Sequence, residues 1–264
     1  MNRKNIYVAL TIFFAVLFYV WDNYSVEDLN FSTEKVNTGT SNFLPTTTTG
    51  QIIHHNYYSL SYAEKFEQAE WVAYDLSKGH LSNSNFDRPY FIKDRKVSSK
   101  SAHYKNYSNS GYDKGHLCPA GDRKFSKSAH DETFLTSNIS PQKHDFNSGI
   151  WNRLEQKTRY WANKYKKLYV VTGGILTSDL KTIGSEKVAV PNYFYKIILD
   201  YHEPEIKAIA FIIPHKETNK ALYKFVTSID NIEEKTGIDF FSEMEDSLEN
   251  KLEKSTSYSN WNFR

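Results

Sequence analysis

Apolar residues recur at helical spacing through Ile150, Trp151, Leu154, Thr158, Trp161 and Tyr165, and this stripe most constrains what the chain can fold into. It describes one amphipathic helix whose apolar face only a packed core can cover. Two polar residues stand apart from that logic. Asn147 opens the segment, and Glu155 follows eight residues later, an advance of about 12 Å on an ideal helix and a turn to within roughly 80° of the start. Both side chains then look toward one broad side, yet too far apart to grip one small ion together. Asn147 also suits an N-cap, and Gly149 tolerates the first turn.

Upstream, Asp113, Lys114, Gly115, His116, Leu117, Cys118, Pro119 and Ala120 place a histidine in a turn-rich setting. An unperturbed imidazole titrates near ~6.5, so His116 can take a proton from water at ordinary pH. Asn147 and Glu155 offer oxygen donors only, which suits Mg²⁺ with several of its waters retained. Asn147 is expected to ligate the ion directly and Glu155 to reach it through coordinated water. Cys118 is the chain's one cysteine, so it reads as a small packed residue. His103, His130, His144, His202 and His215 show no metal-ligand spacing.

At these positions the sequence resembles the DNA/RNA non-specific endonucleases, the family of the Serratia extracellular nuclease and endonuclease G. The family's Asp-Arg-Gly-His is Asp113, Lys114, Gly115 and His116 here. Its Ser-Asn-(Ile/Val)-(Thr/Ala/Ser)-Pro-Gln stretch runs from Ser137 to Gln142, and its Asn-x-Gly-x-Trp-x-x-Leu-Glu pattern is kept at Asn147, Gly149, Trp151, Leu154 and Glu155. Weaker similarity extends the match over residues 50–242. The resemblance implies that His116 is the general base, Asn147 the direct Mg²⁺ ligand and Glu155 the carboxylate that orders the ion's water. It further implies Arg88 as a phosphate-stabilising arginine, Asn138 as an active-site amide, and Asp113 as support for the loop or, through water, the metal. Mn²⁺ is expected to substitute for Mg²⁺. Lys114 departs from the usual arginine; it keeps the charge but loses the bidentate fork toward phosphate, so altered substrate grip is expected. Cys118 departs from the usual small residue.

The residues support the same chemistry by themselves. Phosphodiester hydrolysis needs a nucleophile deprotonated in place, charge neutralised on phosphoryl oxygens and a stabilised leaving alkoxide. His116 meets the first need, Arg88 with Lys114 the second and Mg²⁺ the third. Products with 5′-phosphate ends follow from the resemblance. The chain is only +2 overall, but residues 88–167 hold seventeen Lys or Arg against seven Asp or Glu, a net +10, and include every candidate residue. Residues 228–254 hold three against nine, a net −6. Concentrated positive charge favours DNA and RNA substrates.

Arg3 and Lys4 precede an apolar run over residues 6–21, and no Ala-x-Ala-like cleavage site follows. Residues 1–22 therefore read as an apolar helix acting as an uncleaved signal-anchor, with a cleaved signal peptide as the rival. The first reading holds the catalytic domain at a membrane outside the cytoplasm; the second secretes it. Residues 23–50, rich in Ser, Thr and Asn, read as a flexible linker, leaving residues 51–264 as the endonuclease domain. Strands are expected over 57–62, 70–76, 167–172, 193–201 and 206–213, the last two as a hairpin. Residues 78–114 should form a long surface segment, and residues 230–235 a short helix ended by Gly237.

The expected fold is an α+β domain with a central antiparallel sheet and a ββα-metal, or His-Me finger, site: two strands present His116 and one helix presents Asn147 and Glu155. The expected function is Mg²⁺-dependent cleavage of DNA and RNA with little sequence preference. The alternative is a membrane-anchored nucleic-acid-binding protein without catalysis. Binding alone needs neither a base nor a metal ligand. Oligomeric state is open.

Overall fold

The aromatic and β-branched runs form strands in the computed structural model, which describes residues 13–14, 43–202 and 204–263. Along the chain come β1 (Ile52–His54), β2 (Ser59–Ala63), β3 (Gln68–Ser77), β4 (Asp113–His116), α1 (Lys127–Glu132) and β5 (Ile139–Gln142). Helix α2 (His144–Phe146) passes through a π-type turn, Asn147–Trp151, into α3 (Asn152–Tyr165). Next are β6 (Lys167–Gly174), β7 (Thr182–Ile183), β8 (Val188–Ala189), β9 (Tyr193–Asp200), β10 (Lys207–Pro214) and β11 (Val226–Thr227). Two helices follow, α4 (Ile229–Thr236) and α5 (Asp246–Glu253).

Seven strands make one sheet in the order β1-β2-β3-β6-β9-β10-β11, with antiparallel pairing throughout. Strand periodicity explains how it sits. In β3, Val72, Tyr74 and Leu76 join one core while Trp71 and Ala73 join another; β6 divides Leu168 and Val170 from Tyr169 and Val171 in the same way. Both faces are buried, which is why these strands read as continuous apolar runs and not as an apolar-polar alternation. The first core receives Ile150, Trp151, Leu154, Trp161 and Ala162 from the α3 side, and the second receives Ile229, Ile232 and Leu252 from α4 and α5. The stripe read in the sequence thus finds its partner in a sheet face. Trp161 is fully buried against Trp261 and gives its Nε1 proton to Asn262 O at 2.8 Å.

The expected central antiparallel sheet, the β9–β10 hairpin and the short helix before Gly237 are all present. Gly237 ends α4 at φ 71°, a conformation that glycine takes without a Cβ penalty. One expectation changes. Residues 43–50 were assigned to the linker, but they are packed: Thr46 N donates to Asp239 O at 2.9 Å, Trp71 Nε1 donates to Thr46 O at 2.8 Å, and Phe43 packs on Tyr169 and Tyr201. Residues 78–114 are largely irregular and lie mostly at the surface as expected, yet buried anchors such as Val97, Ala102 and Tyr107 tie them down. Asp94 is buried within this stretch and accepts from Ser137 Oγ at 2.6 Å and pairs with His55 at 2.8 Å. The apolar helix expected over residues 1–22, apart from Phe13 and Phe14, which are helical, and the part of the expected linker over 23–42 lie outside the described residues. Among the described residues no helix is long and apolar enough to cross a membrane.

Candidate active site

β4 and β5 pair antiparallel, with Gly115 opposite Ser140 and His116 opposite Ile139. Gly115 is required here: a Cβ would lie 2.2 Å from Oε1 of the buried Gln142. The next residue, His116, has Phe91 and Phe134 at ring-centroid distances of 5.6 and 5.0 Å. Its Nε2 is buried without a partner, so Nδ1 is the nitrogen that meets solvent. Burial, followed by the positive charge of Arg88 and by His130, pulls the imidazole down to about 3. His116 is therefore an unprotonated base at neutral pH.

Besides a metal ligand, Asn147 was a candidate N-cap of one continuous helix. It lies inside helical backbone at φ −60°, ψ −52°, as the first residue of the π-type turn, and Lys143 holds the N-cap position of α2. The π-type turn explains why the ideal-helix geometry fails. Inside that turn Gly149 has non-helical backbone (φ −96°, ψ −109°), so the chain kinks between Asn147 and the helix that carries Glu155. His116, Asn147 and Glu155 line one cleft of about 250 Å³, together with Pro119, Ala120, Gly121, Asn152 and Arg159. Strand and helix thus converge as the ββα reading required.

Asp113, expected to support the loop or, through water, the metal, ties β4 to the helical segment that carries Asn147. Its Oδ2 accepts from Asn147 Nδ2 at 3.0 Å and pairs with His144 Nδ1 at 3.0 Å. Holding the amide nitrogen leaves Asn147 Oδ1 as a free acceptor. Glu155 has no hydrogen bond or ion pair of its own among the described residues; burial pushes its carboxyl up to about 7, against the opposing pull of Lys196. A free amide oxygen beside an unpaired carboxyl is a donor set that fits a hard divalent cation.

Arg88 and Lys114 stand over the aromatic wall beside His116. The Arg88 guanidinium is 5.5 Å from the Phe134 ring centre, and Lys114 Nζ is 5.5 Å from that of Phe91. Arg88 is exposed and has no carboxylate partner among the described residues, so its charge is available to a phosphate. Asn138, expected as an active-site amide, sits behind the site. It is fully buried; Nδ2 donates to Cys118 O and Thr133 O, both at 2.9 Å, and Oδ1 accepts from Cys118 N at 2.8 Å. With both donors used, it clamps the loop after His116. Cys118 is buried, and its thiol is pushed up to about 12, which excludes nucleophilic use.

Sequence reading missed three residues. Arg159, one turn beyond Glu155, lines the cleft and is held by Asp122 Oδ1 at 2.7 Å; the i,i+4 spacing was the available signal. Lys196 is buried with Nζ unpartnered, 4.9 Å from the Trp151 ring, and its charge bears on Glu155. His144, read as bland, shares Asp113 with Asn147. Its partnership had no local signal.

The family model for DNA/RNA non-specific endonucleases matches residues 35–247. The mitochondrial nuclease EXOG of Danio rerio is 35% identical over 199 residues, covering 69% of this chain and 58% of that protein. A nuclease of Nostoc sp. is 32% identical over 212 residues, covering 75% and 76%. A crystal structure of an EndoG/EndoGI complex superposes with a TM-score of 0.68 at 28% identity, covering 74% of this chain and 86% of that one. The chain spans somewhat over half the length of the EXOG relatives it matches. It belongs to the DNA/RNA non-specific endonuclease family.

Proposed function

We propose that this chain is a metal-dependent endonuclease that hydrolyses phosphodiester bonds in DNA and RNA with little sequence preference and leaves 5′-phosphate ends. One observation carries the reading: His116 from a strand and Asn147 and Glu155 from a helical segment some thirty residues later line one cleft. His116 Nδ1 takes the proton of the attacking water, and the Phe91 and Phe134 rings fix the plane of its imidazole. Arg88, Lys114 and Arg159 present positive charge to the phosphoryl oxygens. Asp113 orients Asn147, and Asn138 holds the loop that follows the base. Asn147 would hold Mg²⁺, or Mn²⁺ in its place, directly and Glu155 would hold it through water, supplying charge neutralisation on the phosphate and stabilisation of the leaving 3′ oxygen. Backbone contacts of this kind carry no sequence information, which supports indiscriminate cleavage.

Arg3, Lys4 and the apolar residues 6–21 support an extracytoplasmic location, with the segment retained as a membrane anchor or removed on secretion. The test of the activity is a supercoiled plasmid and a structured RNA incubated with the purified chain across a Mg²⁺ titration, with and without EDTA. Nicked and then linear DNA, RNA fragments, and arrest by EDTA are expected. His116→Ala should remove most turnover and keep binding. Plasmid that is bound but stays intact at every metal concentration would reduce the chain to a nucleic-acid-binding protein, and cleavage that survives EDTA would remove the metal from the proposal.

A further inference from the structure

Away from the cleft, α4, α5 and the turn after Gly237 bring five carboxylates together. Oxygens of Asp230, Glu233 and Glu253 lie within 4.8 Å of one another, and so do oxygens of Asp239, Glu249 and Glu253. Glu253 belongs to both groups. It is 8% exposed, and its Oε1 is buried with no hydrogen-bond partner. None of the five takes part in an ion pair with Lys, Arg or His among the described residues. The hydrogen bond that a member of the cluster accepts, from Phe240 N to Glu233 Oε1 at 2.8 Å, joins it to backbone and not to another carboxyl.

Oxygens around Ca²⁺, each about 2.3–2.6 Å from the ion, lie up to about 5 Å apart. The cluster has the span of a coordination shell. Burial and the repulsion of Glu233, Glu249, Asp230 and Asp239 push Glu253 up to about 8, the electrostatic mark of charge gathered without a counter-ion.

We propose that these residues form a binding site for a hard divalent cation of the Ca²⁺ class, centred on Glu253, which fastens α5 to α4 and to the turn at residues 238–240. The donors are all oxygens, and they are numerous and carried on flexible side chains, which suits Ca²⁺ better than the strict octahedron and retained waters of Mg²⁺. Beneath them lie Ile232, Phe240 and Leu252 of the second core, so the ion would close that core. Glu249 and Glu253 lie beyond residue 247, where the family match ends, and none of the five lines the catalytic cleft.

The test is thermal unfolding of the metal-stripped full chain titrated with CaCl₂ alone and, separately, MgCl₂ alone. At a hundredfold excess over Kd, Ca²⁺ should raise Tm by about 5–10 °C, and Mg²⁺ at the same concentration should raise it less. Asn147→Ala should keep the Ca²⁺ increment, because the cleft is not its source, and equilibrium dialysis of that variant should find one Ca²⁺ per chain. Glu253→Gln, which relieves repulsion without changing size, should melt above the parent without Ca²⁺ and gain nothing from it. Glu249→Gln, a substitution nearer the surface, should move the midpoint of the titration to about tenfold higher Ca²⁺. A parent with no Ca²⁺ response, a response that survives Glu253→Gln, or one that disappears with Asn147→Ala would overturn the site.

Discussion

Burial displaces Glu155 and His116 in opposite directions because it penalises whichever form is charged. The carboxyl rises to about 7 and the imidazole falls to about 3. At neutral pH the base is free, and the carboxyl is poised to lose its proton when a cation arrives. Glu155 in the folded chain titrates above its unfolded value of about 4.5. Its contribution to stability is therefore fully present below about pH 4.5 and is lost as pH rises through about 7. Glu155→Gln escapes that loss. In EDTA, the variant and the parent should melt together at pH 5, and the variant should melt roughly 2–6 °C higher at pH 8, a gain of about 1–2 kcal/mol after allowance for partial exposure. Its Mg²⁺-supported turnover should fall by about a hundredfold or more. A variant less stable than the parent at pH 8 would show that the buried carboxylate is already compensated. At this scale the sequence disclosed residue types with a chemical vocation, His116, Asn147 and Glu155. It could not disclose that Asn138 spends its amide on Cys118 and Thr133, because those partnerships exist only after the chain has folded.

The ββα unit was legible as two short strands and a helix, but its internal fit was not. A uniform 3.6-residue period cannot reveal the kink at Gly149, across which Asn147 and Glu155 still line one cleft. Gly115 is the corresponding detail in the strands. Its flat face accommodates Gln142, whose amide Nε2 and Oε1 are both buried and unpartnered. Gly115→Ala should press β4 away from β5, cost about 1–3 kcal/mol and lower turnover by displacing His116. Gln142→Ala removes the obstacle and breaks no hydrogen bond. The double variant should therefore recover stability, with a coupling of about 1 kcal/mol or more in a double-mutant cycle. Additive losses would mean that the strands are held apart by something other than this contact.

Across the whole molecule, the antiparallel sheet could be read from its aromatic and aliphatic runs, and the +10 segment holds the cleft residues His116, Asn147 and Glu155. The beginning of the packed domain could not be read, since a Ser- and Thr-rich stretch has the composition of a tether. In the fold those hydroxyls serve a buried carboxylate. Glu70 is 5% exposed, and its oxygens accept from Thr47 Oγ1 at 2.8 Å, Thr48 N at 3.0 Å, Thr48 Oγ1 at 2.5 Å and Ser61 Oγ at 2.6 Å. A fragment beginning at Gln51 keeps only the last of these donors and also loses Phe43 and Leu44 from the second core. Stripping hydrogen-bond donors from a buried carboxylate costs about 3–5 kcal/mol. For a domain of this size, that corresponds to a Tm lower by about 10 °C than in a fragment beginning at Thr38. The two fragments compared by differential scanning calorimetry decide the matter. Equal melting temperatures would mean that the Thr-rich segment rests on the domain without supporting it.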